Sequence, residues 1–69
     1  MKYQIVQFAH RYIAQTVYDE LRAAGIRVDS AGVRKVDRYY AVCYMPIGAA
    51  QRDFADQVIN KYIWQDAHQ

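Results

Sequence analysis

The side chains that could do chemistry in this chain are few and scattered. Nucleophiles and acid-base groups are limited to His10, His68, Cys43, Ser30, Thr16 and seven carboxylates. Their spacing matches no catalytic constellation and no Cys and His metal site. A phosphate-binding loop is also absent from the pattern, because the three glycines are isolated. The sequence therefore predicts a protein that is not an enzyme and has no metal or cofactor.

Each of these side chains has a structural interpretation. Cys43 lies in an apolar stretch and is expected to be a small buried thiol. His10 is expected at the start of the first helix, and His68 in a frayed tail. The chain has one cysteine and thus no internal disulfide, which favours a reducing, cytoplasmic location.

The composition favours association instead of catalysis. The chain has 69 residues, of which 54% are hydrophobic and seven are tyrosine. A domain this small leaves roughly 40% of its unfolded-state surface exposed, so some of these side chains must remain on the outside and favour binding. The net charge of +2 is too small to indicate a nucleic-acid or membrane partner by itself. We see neither a secretory signal nor a stretch long enough to span a bilayer.

Two copies of a strand followed by a helix organise the chain. Residues 3–8 and 40–45 have the composition of strands, and each is followed by apolar residues at helical spacing. Gly25 is placed to end the first helix in the left-handed conformation, and residues 26–28 form a further strand. The sequence predicts one α+β domain over residues 1–69. We expect a ferredoxin-like βα-β-βα order with about three antiparallel strands and two helices on one face.

The predicted elements assign an inward side to each helix. In the first helix the inward residues are Ile13, Val17, Leu21 and Ala24. In the second they are Ala50, Phe54, Val58 and Tyr62, with a second stripe of Ala55, Ile59 and Ile63. Residues 39–45 are the longest uncharged strand and are expected inside the sheet.

A basic hairpin is predicted to precede that strand. Its tip is either Ala31-Gly32 or Asp37-Arg38, and the sequence does not decide between them. Arg34, Lys35 and Arg38 project from the hairpin, where they could contact phosphate or an acidic surface.

The alternation of residues 40–45 predicts which side chains are free to bind. Consecutive strand residues point to opposite faces. We expect the small residues Ala41 and Cys43 to lie under the helices with Val6 and Phe8. The uncovered face would then present Tyr3, Ile5, Tyr40, Val42 and Tyr44, and the segment Tyr62-Ile63-Trp64 would add an aromatic anchor. The predicted partner-binding residues are Tyr3, Tyr40, Tyr44, Tyr62 and Trp64.

Two kinds of partner could use such a face. A protein or a second copy of the chain needs only an apolar patch, and a homodimer needs one that is self-complementary. Single-stranded nucleic acid is the alternative, with tyrosines stacking on bases and the basic hairpin meeting phosphates. Residues 38–42 resemble the strand signature of RNA-recognition motifs. However, Tyr39 stands where Gly is typical, Val42 where an aromatic is typical, and Gln4 where the second ring is typical.

The first strand and helix also resemble a known family. Phe8-Ala9, Ala14-Gln15, Asp19, Leu21 and Gly25-Ile26 are similar, at the same spacing, to the small cytoplasmic N-terminal domain of bacterial rhomboid proteases. His10-Arg11 replaces the Asn-Pro-Arg typical of that family. The SPOR-type peptidoglycan-binding domain is similar in layout, but its Gly-x-Phe turns are missing here. The rhomboid resemblance implies an accessory module without catalytic residues, whose role is regulation or association.

Overall fold

A computed structural model describes residues 2–69. In chain order the elements are β1 (Gln4–Phe8), α1 (Arg11–Ala23), β2 (Arg27–Val28), β3 (Arg34–Val36), β4 (Tyr39–Met45) and α2 (Gly48–Ala67). β4 is the central strand, with β1 antiparallel on one side and β2 and β3 antiparallel on the other. The predicted α+β class is confirmed, and the ferredoxin-like order is compatible with this topology. The sheet counts four strands because its third strand is divided into β2 and β3.

The first helix forms as its periodicity predicts. Ile13, Val17 and Leu21 are buried, whereas Ala24 is exposed because the helix has already ended there. Gly25 has a φ of 83°, the predicted left-handed conformation. Its N–H donates to the carbonyl of Arg22 at 3.0 Å, and the next N–H, from residue 26, donates to the carbonyl of Leu21 at 3.1 Å. These two bonds satisfy carbonyls that the helix end would otherwise leave unpaired.

Both candidate turns of the hairpin segment exist, with different roles. The tip is Asp37-Arg38, since Val36 pairs with Tyr39 across it. Ala31-Gly32 instead belongs to the turn that separates β2 from β3. There the backbone carbonyl of Asp29 accepts the N–H of Gly32 at 3.0 Å, and its carboxylate accepts the N–H of Ala31 at 3.0 Å.

The second helix packs through adjoining parts of both predicted stripes, and the outer members of each stripe are exposed. Its buried residues are Ala55, Val58 and Ile59, whereas Phe54 and Ile63 are exposed. Ala50 is also exposed. The reason is that α2 packs against both α1 and β1, so its contact surface runs between the two predicted stripes. The helix continues to Ala67, and the ring nitrogen Nδ1 of His68 lies 2.7 Å from the carbonyl of Trp64.

The core lies between the two helices and one face of the sheet. Its buried members are Phe8, Ile13, Ala14, Val17, Tyr18, Leu21, Ile26, Val42, Tyr44, Ala55, Val58 and Ile59. Tyr18 keeps its polar end satisfied because its hydroxyl donates to the carbonyl of Asp29 at 3.0 Å. All of these side chains lie on one side of the sheet, and the other side has no covering element among residues 2–69.

Candidate functional site: the open face of the sheet

The register of β1 and β4 decides which side chains lie under the helices. Val6 pairs with Val42 and Phe8 with Tyr40, and directly paired residues share a face. Phe8, Val42 and Tyr44 belong to the core, and Val6 and Tyr40 pack against it. The prediction that Tyr40, Val42 and Tyr44 face outward was therefore wrong, as was the prediction that Ala41 and Cys43 face the helices.

The physical reason is the size of the buried side chains. Val42 and Tyr44 carry far more apolar surface than Ala41 and Cys43, and burial contributes roughly 25 cal/mol per Å² of that surface. A small domain with a thin core gains most when the larger set lies inside. Burial also raises the pKa of the Tyr44 hydroxyl, and the negative charge of Asp56 raises it further.

The face that the helices leave uncovered is the candidate functional site. We define this open face by the side chains that the alternation of β1, β2, β3 and β4 directs away from the core: Ile5, Gln7, Arg27, Arg34, Val36, Tyr39, Ala41, Cys43 and Met45. Ile5 is 65% exposed, and Val36 and Tyr39 are 44% and 43% exposed. Tyr3, just before β1, is 46% exposed and extends the same alternation. The expectation that Ile5 is exposed is confirmed.

The centre of the open face is shallow. Ala41 and Met45 are buried and Cys43 is half-buried, so the middle strand offers a flat floor of small or flexible side chains. The exposed aromatic rings, Tyr39 and Tyr3, lie near opposite ends of the sheet. Base stacking needs rings on the central strands. The two rings expected there, Tyr40 and Tyr44, lie on the face that the helices cover. The arrangement suits a broad apolar contact better than a row of stacked bases.

The basic excess of the chain lies outside the two helices. Lys2 and the segment 27–38 hold five basic and two acidic residues, whereas the two helices hold four basic and five acidic residues. Arg34 is on the open face and pairs with the Asp29 carboxylate at 2.8 Å. Lys35 points to the opposite side, beside Tyr40, and Arg38 lies in the hairpin turn. The predicted basic residues are thus exposed, but they do not converge on one site.

The C-terminal aromatic segment is divided between core and surface. Tyr62 packs against the core, and its hydroxyl donates to the carboxylate of Glu20 on α1. That hydrogen bond raises the pKa of Tyr62, with burial and the charge of Glu20 acting in the same direction. Trp64 is 63% exposed and stacks on the ring of His68 at 4.2 Å. Of the two predicted binding residues in this segment, Tyr62 and Trp64, only Trp64 is exposed.

A carboxylate that the sequence analysis did not single out joins the ends of β1 and α2. Asp66 accepts the N–H of Ala9 at 2.8 Å and that of His10 at 3.0 Å, and it also contacts the His10 ring nitrogen Nδ1 at 2.8 Å. Burial alone would raise the pKa of Asp66, but these contacts hold it below its ordinary value. An acidic side chain is unfavourable in the last turn of an isolated helix, and that anomaly was the available signal of a tertiary partner.

His10 consequently has a structural role. Its ring lines an open hollow of about 730 Å³, together with Ala9, Arg11, Tyr12, Gln15 and Tyr40. The His10 ring is held by Asp66. Within residues 2–69 no group of three or more metal-ligating side chains comes together.

Comparisons with known proteins do not indicate a function for this chain. No family model, curated protein or solved structure is significantly similar to this chain. No helix among the described residues is both long and apolar enough to cross a membrane.

Proposed function

We propose that this domain is a non-catalytic association module that binds a protein surface, on a partner or on a second copy, through its open face. The observation that carries the proposal is the exposure of Ile5, Val36 and Tyr39 on one continuous side of a sheet whose other side is filled by the core. Exposed apolar patches of this kind are typical of interaction sites. Trp64 is a second, separate contact residue in this proposal. The proposal also includes a cytoplasmic location and a regulatory role.

The chemistry of the partner follows from the charges around the patch. Arg27 and Arg34 are the charged side chains of the open face, and Arg34 pairs with Asp29. A partner with an apolar centre and acidic residues at its rim would be complementary to this face, which would speed encounter and disfavour basic surfaces.

The proposal is tested by comparing a tyrosine on the open face with a tyrosine of similar exposure on α1. A photo-crosslinking side chain replaces Tyr39 on the open face or Tyr12 on α1, which are 43% and 56% exposed. In cells that produce the protein, we expect a discrete crosslinked product from the Tyr39 variant and at least fivefold less from the Tyr12 variant. The mass of the product distinguishes a second copy from another protein. Equal or absent crosslinking at the two positions would contradict the proposal.

Cys43 provides an independent readout without any label. Its thiol lies on the open face, so a bound protein should slow its reaction with a thiol reagent. If the partner is a second copy, the rate should fall as the protein concentration rises and recover in the double variant Ile5→Ser and Tyr39→Ser. Tyr12→Ser is the control that should leave the concentration dependence unchanged.

A further inference from the structure

The outer edge of β1 is an unprotected sheet edge. Within residues 2–69, β1 pairs with β4 alone, so alternate backbone N–H and C=O groups of Gln4–Phe8 point away from the sheet without a strand partner. Natural edge strands are normally blocked by charge, proline, a bulge or a covering loop. Residues 3–9 contain neither charge nor proline, and the pairing with β4 continues through five residues without a bulge.

The second helix lies on the β1 side of the molecule. α1 packs over β4 and β2 and also contacts β1, whereas β1 is the strand that α2 packs against. Packed helices lie about 8–10 Å apart and neighbouring strands about 4.8 Å apart. Across a sheet this narrow, α2 must therefore lie over β1 or just beyond it.

An apolar side chain of α2 marks the space beside β1. Ile59 is buried, and Asp66 binds the backbone after β1. Ile63 lies one turn from each of them on the same side of the helix, yet it is 45% exposed. A strand placed alongside β1 would lie beneath Ile63 and cover it.

We propose that this position accepts an extended segment of a partner protein, which adds to the sheet as a strand beside β1. The inference deepens the proposed function, on which it rests, by naming the form of the partner. Strand addition obtains affinity from main-chain hydrogen bonds and specificity from alternate side chains. The segment has no proline at the paired positions, and one of its faces is apolar to meet Ile63.

The space beside β1 favours a single strand over a second copy of the domain. If β1 paired antiparallel with the β1 of another copy, both α2 helices would lie on the same face, each over or beyond its own β1, and they would approach within less than a helix diameter of about 10 Å. An extended segment brings no helix on that face. It also leaves the open face accessible, so the edge and the face can be occupied by the same partner.

A tethered strand tests the capacity of this edge. Asp66 places the end of α2 next to Ala9, so a strand that follows Gln69 through a six-residue Gly-Ser linker can run back antiparallel along β1. The probe is a seven-residue segment of alternating Thr and Val, and the tether supplies an effective concentration of order mM. The control has the same length, with two of its residues replaced by Pro.

The readout is amide hydrogen exchange in β1, residue by residue. Alternate amides among Gln4–Phe8, those that point away from β4, should exchange at least tenfold more slowly in the fusion than in the parent chain or the Pro control. Ile63→Lys should reduce that protection severalfold, whereas Trp64→Lys, at the neighbouring and more exposed position, should not. Circular dichroism confirms that each variant remains folded.

Three outcomes overturn the inference. Unchanged β1 exchange in the fusion would show that the edge does not accept a strand. Equal effects of Ile63→Lys and Trp64→Lys would show that the strand does not lie under α2. Protection of β1 in the parent chain that rises with concentration, together with a dimer in sedimentation, would identify a second copy as the occupant. In each case protection of Cys43 by a partner would still support the open face, so the two proposals fail separately.

Discussion

The two edges of this sheet are built in opposite ways. The β1 edge is continuous and uncharged over Gln4–Phe8. The opposite edge is interrupted between Val28 and Arg34, and every residue of β3 is exposed. Short strands and basic side chains are devices by which proteins prevent an edge from pairing with another chain. One edge is therefore protected against pairing and the other is open to it.

The edges also differ in how they are attached to the core. β1 contributes Phe8, which is almost fully buried, and its end is bound by Asp66. The other edge contributes Val28 to the margin of the core, and its turn is held by the exposed pair of Arg34 and Asp29. The comparison shows that the edge open to pairing is also the edge that the core holds in place.

Truncation of one residue on each edge should give the largest difference. Phe8→Ala removes a fully buried aromatic side chain and should lower the free energy of unfolding by about 3–5 kcal/mol, a large share of what a domain this small possesses. Val36→Ala, at a half-exposed position of β3, should change it by less than about 0.5 kcal/mol. Urea unfolding followed by circular dichroism measures both. Comparable losses would mean that the two edges are equally bound to the core.

The sequence predicted the elements because each has a local cause. The periodicity of Ile13, Val17 and Leu21, the glycine at position 25 and the β-branched and aromatic strands are properties of neighbouring residues. Even the two competing turns were visible, since Ala31-Gly32 and Asp37-Arg38 both form turns. Their roles depend on pairing with β4, which no local pattern specifies.

The candidate site was harder to predict because it depends on register. Alternation separates Tyr40 and Tyr44 from Ala41 and Cys43, but it does not state which set is inside. The choice follows from the pairing of Val6 with Val42, a contact between distant parts of the chain. The existence of an open apolar face followed from chain length and two helices. The identity of its residues required comparison of the apolar area on the two faces.

Each edge is bound by one carboxylate, Asp66 or Asp29. Removing these carboxylates one at a time should give an intermediate difference in the free energy of unfolding. Asp66→Ala leaves the N–H groups of Ala9 and His10 without their acceptor, and hydrogen bonds to a charged group contribute roughly 1.5–3 kcal/mol. Asp29→Ala removes a partly exposed ion pair with Arg34, which contributes about 0–1 kcal/mol, and one turn hydrogen bond. The free energy of unfolding, measured near pH 7, should therefore fall more for Asp66→Ala.

The difference in free energy of unfolding between wild type and Asp66→Ala should depend on pH, in the direction set by the Asp66 pKa. Because this pKa is lower in the folded chain than its ordinary value of 3.8, the stabilisation is present above that value. It is lost as the pH falls through the folded-state pKa. Wild type and Asp66→Ala should thus converge in stability in strong acid. A gap that stays constant from neutral pH down to strong acid would show that the Asp66 charge does not stabilise the end of β1.

The smallest expected change in the free energy of unfolding is at the hairpin tip, which belongs to the protected edge. Asp37 is the first central residue of the two-residue turn and has a φ of 56°, where glycine is favoured. Asp37→Gly should raise the free energy of unfolding by about 0.5 kcal/mol, since relief of the left-handed conformation outweighs the added chain entropy.

The matched control is the next residue of the same turn. Arg38 does not have a positive φ, so Arg38→Gly adds chain entropy without relief of strain and should lower the free energy of unfolding by about 0.5–1 kcal/mol. Thermal unfolding of both variants compares the signs directly. A gain well above 1 kcal/mol for Asp37→Gly would mean that the turn limits how firmly β3 is held. A small gain would instead mean that the edge formed by β2 and β3 is weakly held because it has few core contacts. That property distinguishes it from β1.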